Sequence, residues 1–323
     1  MKHLFKTILC IASTFMMGNV YSDSFHPETQ SKRANIFADF IYWYTSETVD
    51  WAFTLQQNPS SFESSFKTFA FDWAPGFRVG LEYNLLHDQW NTQASYTWFQ
   101  SRASGHTTGE VTPAFFAARL SLLEPFSTGK TNINIHYNMF DWDLNRSFSI
   151  SKYLFLQPSI GLKCGWINQN IHSYWTKPNL FGFFLFTAHE NLKQRFLGGG
   201  PKGGITAKWY LKNIHKHSLS LLGSFEVGYL WGHWTIRDNF IDDLFTKIAV
   251  NTSPRNFGSF MLHGFIGIGW DLNFNHEQNH FEMKLGYEIE DWLNYCQIFT
   301  DSSGSQNNDL IFQGLNFALS INF

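Results

Sequence analysis

Apolar side chains recur at every second position along much of this chain. In "FRVGLEYNLL" (77–86) Phe77, Val79, Leu81, Tyr83 and Leu85 share one face, with Arg78, Gly80, Glu82 and Asn84 on the other. The same alternation runs through "LFLQPSIGLKCGW" (154–166), "LSLLGSFEVGYLW" (219–231), "FMLHGFIGIGWDLNF" (260–274), "FEMKLGYEI" (281–289) and the terminal "LNFALSINF" (315–323). A period of two is the signature of a β-strand with one apolar face. The predicted strands cover residues 35–45, 76–86, 90–101, 130–144, 153–169, 203–211, 218–234, 259–274, 280–295 and 309–323. Several exceed the five or six residues usual in globular sheets and match the roughly 9 to 11 that a tilted strand needs to cross a bilayer. Their small or polar face suits a lumen, and aromatic residues gather near their ends.

Short polar connections ("HDQ", "NRSFSISK", "KNIHKH", "NHEQN") alternate with long ones at 46–75, 102–129, 170–202, 235–258 and 296–308. Outer-membrane barrels show this asymmetry, with short turns inside and long loops outside. The expected fold is therefore all-β: one antiparallel transmembrane barrel of about ten strands. The count rises to twelve if "VDWAFTL" and "SFKTFAFDW" add a hairpin. Three long loops carry helical signals. "TPAFFAARLSLLEP" places Thr112 as an N-cap and Pro113 at the first helical position, "TAHENLKQRFLGGG" spaces Thr187 and Glu190 as a capping box, and "DNFIDDLFTKIAV" is the weakest.

The first 22 residues read as a secretory leader, with Lys2 and Lys6 ahead of an apolar stretch and a small-residue site before Asp23. Residues 23–323 are then expected to form a single barrel domain. No later run of about 18 apolar residues occurs, so no spanning helix is expected. Aromatic residues make up 19% of the chain and charged residues only 15%, an unusual balance for a water-soluble fold. The formal charge of −3 comes without a basic patch, which makes nucleic acid an improbable partner. Cys164 and Cys296 are predicted to lie four strands apart, beyond the about 7 Å Cα limit for a bridge, and Cys296 is a candidate for cross-linking to another envelope protein.

"FDWAPGFRVGLEYNLLHDQWNTQASYTWFQSR", "LNRSFSISKYLFLQPSIGLKCGWINQ", "GGGPKGGITAKWYL", "KLGYEIEDWLNYCQIF" and "NDLIFQGLNFALSINF" resemble, in order, the Legionella-type major outer membrane protein family, also found in Chlamydia-related bacteria. The resemblance implies a pore-forming barrel in the bacterial outer membrane. It carries no catalytic residues across, and 171–197 is unmatched.

The chemistry expected of such a chain lies on the inner face. Arg78, Glu82, Lys163, Lys208, Glu226, Asp271, Glu282, Lys284, Glu288 and Glu290 fall on the polar side of their strands and are the predicted pore-lining groups. Six acids against four cations would bias a water-filled lumen weakly toward cations. In a narrow lumen the same groups would pair across it as a closed core. The predicted function is a porin-like channel for small hydrophilic solutes, with a non-conducting adhesin or structural envelope protein as the alternative. Leu315, Phe317, Leu319, Ile321 and Phe323 form an amphipathic end that resembles the insertion signal read by the outer-membrane assembly machinery, so that machinery and outer-membrane lipid are the expected partners.

No enzyme is predicted. Ser259 and His263 sit i to i+4 on a strand, about 13 Å apart at about 3.3 Å per residue, too far for proton transfer. His87-Asp88 reads as a turn. "GGGPKGG" lacks the spacing of a phosphate loop and reads as a flexible lead-in to the sixth strand. No cofactor or metal is predicted.

Overall fold

The computed structural model describes residues 34–58, 61–85, 89–121, 125–178, 185–214, 217–244, 246–252, 255–274, 279–298 and 309–322, all within one compact unit. In chain order the strands are β1 (Ala34–Ser46), β2 (Asp50–Asn58), β3 (Ser61–Thr68), β4 (Ala70–Phe71), β5 (Trp73–Asn84) and β6 (Trp90–Pro113). A single turn of helix, α1 (Phe116–Arg119), follows, then β7 (Phe126–Arg146), β8 (Phe148–Ser149), β9 (Leu154–Pro178), β10 (Leu185–Ile214) and β11 (His217–Asp242). The last four are β12 (Lys247–Asn251), β13 (Arg255–Phe274), β14 (Asn279–Trp292) and β15 (Leu310–Asn322).

Ten of these close a ring by antiparallel pairing: β1-β5-β6-β7-β9-β10-β11-β13-β14-β15 and back to β1. Each of the ten strands thus pairs on both sides, which removes the exposed edge that an open sheet would present. The seam pairs Asn35 with Asn322 through Ser46 with Ile311. The anticipated extra hairpin exists as β2-β3 and docks by β2 onto the upper end of β6.

The wall is uneven in height. β6, β7, β9, β10 and β11 run 24, 21, 25, 30 and 26 residues, whereas β1, β5, β14 and β15 run 13, 12, 14 and 13. The short strands match one bilayer crossing; the long ones continue above it. This changes two of the expected loop helices into sheet. "TAHENLKQRFLGGG" lies wholly within β10, and "DNFIDDLFTKIAV" is divided between β11, a turn and β12. The third shrinks to α1, which starts after Phe115 with no side-chain cap, so Thr112 lies within β6, one residue before its end at Pro113, and does not cap α1. "GGGPKGG" is the middle of β10, not a lead-in to it. At the other extreme, β14 stops at Trp292 instead of continuing to Tyr295, because Asn294 adopts a left-handed φ of 53° that no strand accommodates.

The outward face carries the apolar belt. Phe77, Leu81, Trp142, Ile160, Leu162, Phe225, Ile266, Leu285, Leu315 and Ile321 are all 42–64% exposed. Leu319 joins them and Phe317 lies on the same face, while Phe323, His87 and Asp88 fall outside the described residues. The buried hydrophobic core sits inside the ring, toward the end where the long strands rise.

Candidate functional site in the barrel interior

All ten predicted lining residues point inward, and the structure binds them to one another and to partners outside the predicted set, among them Asp39, Asp141, Asp143, Lys202, His263 and His280. Three tiers fill the lumen.

The lowest tier surrounds Lys208, whose Nζ lies 2.8 Å from Asp271 Oδ1 and 2.7 Å from Glu282 Oε1. Lys284 contacts the other oxygen of Glu282 at 2.9 Å, and His280 Nε2 lies 3.1 Å from Asp271. Asn35 donates to Glu82 at 3.1 Å.

In the middle tier Arg78 is a three-way fork. Its Nη1 meets Asp39 at 3.2 Å, its Nη2 meets Glu288 at 2.6 Å, and its Nε donates to Thr97 at 3.0 Å. Asn316 donates to Glu288 at 2.7 Å, and His263 Nε2 lies 2.7 Å from the same carboxylate. Lys202 holds three acids: Asp141 at 2.9 Å, Asp143 at 2.9 Å and Glu226 at 3.1 Å. Lys163 lies 3.4 Å from both Asp141 and Glu290. The last contact joins β9 to β14 across the barrel, as does the Tyr137 hydroxyl, which donates to Glu290 at 2.5 Å from β7. Glu288, Glu290 and Asp271 are each 1% exposed, so the groups expected to line water line one another. A charge in this position needs both a partner and satisfied hydrogen bonds, and the lattice supplies them.

The upper tier is aromatic. Phe312 on β15 stacks on Trp43 (centroids 5.8 Å, interplanar 14°) and meets Phe99 and Tyr137 edge-on at 5.3 and 5.1 Å. Trp292 links this group to Phe196, which packs on Trp234 at 4.7 Å, and Trp234 stacks on Phe257 with its plane only 5° away. These rings bridge β1 to β11 across the lumen. Gly232 makes room for them: a Cβ there would lie 2.0 Å from the Phe196 ring. Trp292 Nε1 donates to Glu290 at 2.8 Å, so one carboxylate joins the aromatic tier to the charged one.

Above lie Trp51, Trp175 and Phe126, with α1 tucked beneath the rim. Two inward acids hold α1: Ala117 N–H donates to Asp238 and Ala118 N–H to Glu190, both at 2.8 Å. The segment after β14 also folds inward, where the Gln194 amide donates to the Tyr295 carbonyl and the Tyr295 hydroxyl donates to the Ile167 carbonyl. Glu47, in the connection after β1, accepts from Gln169 at 2.7 Å, and burial pushes its carboxyl up to about 7. Burial also pushes the Cys296 thiol upward; Cys296 is 7% exposed, so a cross-link through it would first require this segment to open. Cys164 faces outward, and both thiols are free.

The catalytic candidates do not assemble. The Ser259 hydroxyl donates to the Leu293 carbonyl at 2.8 Å, while His263 is engaged by Glu288. Among the described residues no three potential metal ligands converge.

A closed ring of antiparallel strands, apolar outside and charged within, defines a transmembrane β-barrel of the bacterial outer membrane, crossing it many times through its strands. The chain belongs to the family described as Legionella pneumophila major outer membrane protein precursor, which it matches over residues 26–323. No curated protein matches it. Among solved structures it is similar to the outer membrane protease OmpT from Escherichia coli, with 13% identity, a TM-score of 0.38, and 94% of this chain and 98% of that one covered. It is also similar to the Pseudomonas putida toluene transporter TodX (11%, TM-score 0.28, 92% and 90% covered) and to an outer membrane channel from Pseudomonas putida F1 (11%, TM-score 0.30, 94% and 100% covered).

Proposed function

We propose that this barrel is a porin-class channel for small hydrophilic solutes that is shut at rest, and that it opens only when its inner ion-pair lattice parts. The observation that supports a solute path is the charged lining itself. Arg78, Lys163, Lys202 and Lys208 each reach carboxylates on other strands, an expensive construction where apolar packing alone would fill the space. Acids outnumber lysines and arginines in that lining, which supports a weak preference for cations once water enters.

Planar-bilayer recording of the refolded, leader-free protein tests this reading. Rare, voltage- or acid-promoted cation-preferring steps are expected from the native chain, with a higher open fraction when Lys202 is replaced by Met and a reduced reversal potential when Glu226, Glu282 and Glu288 become Gln. Silence from both native and Lys202→Met protein, each shown to be folded, rejects the channel. The reading it leaves is the second one, a non-conducting surface or structural envelope barrel, which the aromatic tier across the upper lumen supports.

A further inference from the structure

The cations on the outside of the tall wall obey a different rule from those within. Arg102, Lys130, Lys193, Arg195 and Arg237 all point outward and are exposed, and none forms an ion pair among the described residues. No Asp or Glu occupies an outward position of β7, β9, β10 or β11. Strand register places four of these cations in two rows, with Lys130 higher on the wall beside His106 and Tyr174. Gln100, His136, Asn168, Arg195 and Thr235 are successive neighbours across β6, β7, β9, β10 and β11; the row above is Arg102, Asn134, Asn170, Lys193 and Arg237.

Directly below, the row Trp98, Asn138, Trp166, Leu197 begins the apolar belt. There a groove of about 450 Å³ opens on the outer face, lined by Phe140, Cys164, Trp166 and Leu197, with the Tyr96–Asn138 hydrogen bond at its edge. Gly165 and Gly198 line it without side chains, and Gly199 gives Cys164 clearance, since a Cβ there would lie 2.8 Å from the cysteine Cβ. Arg195 stands two residues above Leu197, about 7 Å at about 3.3 Å per residue.

We infer that this face docks a phosphate-bearing, acylated glycolipid of the outer leaflet, with an acyl chain in the groove and its phosphates on Arg102, Lys193, Arg195 and Arg237. Charge complementarity selects the headgroup. Guanidinium forks pair with phosphate in a bidentate geometry, and cations close to an anionic lipid surface are attracted to it. The belt edge fixes the depth, because the cations start where the apolar side chains stop. Asn and His between them offer donors to sugar hydroxyls. The inference rests on the membrane location and is independent of whether the lumen conducts.

The test uses the full leader-free barrel in phosphatidylcholine nanodiscs, titrated with an acylated, bisphosphorylated glucosamine disaccharide and read by native mass spectrometry of the retained lipid. The phosphorylated lipid is expected to be retained at least tenfold more strongly than its dephosphorylated form. Arg102→Gln/Lys193→Gln/Arg195→Gln/Arg237→Gln should remove that preference, while Lys67→Gln/Lys212→Gln, elsewhere on the barrel, keeps it. Cys164→Trp, which fills the groove, should weaken retention several-fold with the cations intact. If the fourfold variant fails to fold, Arg102→Gln/Lys193→Gln and Arg195→Gln/Arg237→Gln each carry part of the same loss. Equal retention of both lipids, unchanged binding by folded charge variants, full displacement by inorganic phosphate, or a dimer formed through this face would each overturn the proposal.

Discussion

The two halves of the lumen solve one packing problem with opposite chemistry. Below, Lys202 and Arg78 knit carboxylates from four strands into a lattice whose members depend on one another. Above, Trp43, Phe312, Phe196 and Trp234 fill the same cross-section with rings that need no partner of opposite sign. The difference lies in what removal of one member does. Loss of a ring leaves a void whose cost is local, whereas loss of a lysine leaves several buried charges facing each other. The lower half is thus the brittle one, where adding protons or taking away a cation unbalances the packing itself.

The sharpest way to break that contrast is Lys202→Met, which takes the lysine from Asp143 and Glu226 and leaves Asp141 only the longer contact to Lys163; about 3 to 5 kcal/mol of unfolding free energy should be lost in denaturant titrations of the micellar protein, and partly recovered in acid. Phe312→Ala, at the centre of the aromatic tier, should cost about 3 to 4 kcal/mol with no such recovery. Equal pH dependence in the two variants would show that the tiers are not chemically distinct.

Glu47 is an acid in the wrong half, and its carboxyl is raised from an ordinary 4.5 to about 7 chiefly by burial. The native state therefore holds this proton more tightly than the unfolded chain does. Its contribution is most favourable below about pH 4.5 and is lost as pH rises toward 7. Glu47→Gln should flatten that decline and gain about 2 kcal/mol at pH 8, measured as unfolding free energy against pH. The smallest expected effect is at the joint between tiers. Tyr137→Phe deletes one donor to Glu290 but leaves Trp292 and Lys163 on that carboxylate, so a loss of about 1.5 kcal/mol is expected from the same titration.

β7 explains why the lower barrel was legible in the sequence and the upper barrel was not. In its lower half Phe140, Trp142 and Leu144 face out and Asp141 and Asp143 face in, the pattern a membrane imposes. In its upper half the phase inverts: Ile133, Ile135 and Tyr137 face in, and Asn132, Asn134 and His136 face out. A reader following one apolar face loses the strand where the faces exchange. β10 adds a second ambiguity. Ala188, Leu192 and Phe196 recur every fourth residue, a spacing that fits one side of a helix as well as every other inward position of a strand. Glu190 and Gln194 fill the alternate inward sites, so the capping-box signal was a coincidence of strand chemistry. Lys202 is hidden in the sequence because its glycine neighbours resemble a loop; in the folded chain they give clearance, and a Cβ at Gly200 would clash with the Tyr229 carbonyl oxygen.

The pairing of Asn35 with Asn322 also governs how the molecule can be made. Contacts between residues so distant in the chain reward folding last, and every other strand must already be in register before β1 and β15 can meet. Until then the first strand has one unsatisfied side and nothing to cap it. A chain with this seam still open presents two unpaired strand edges, so its stability in lipid arrives with the last pairing and not before.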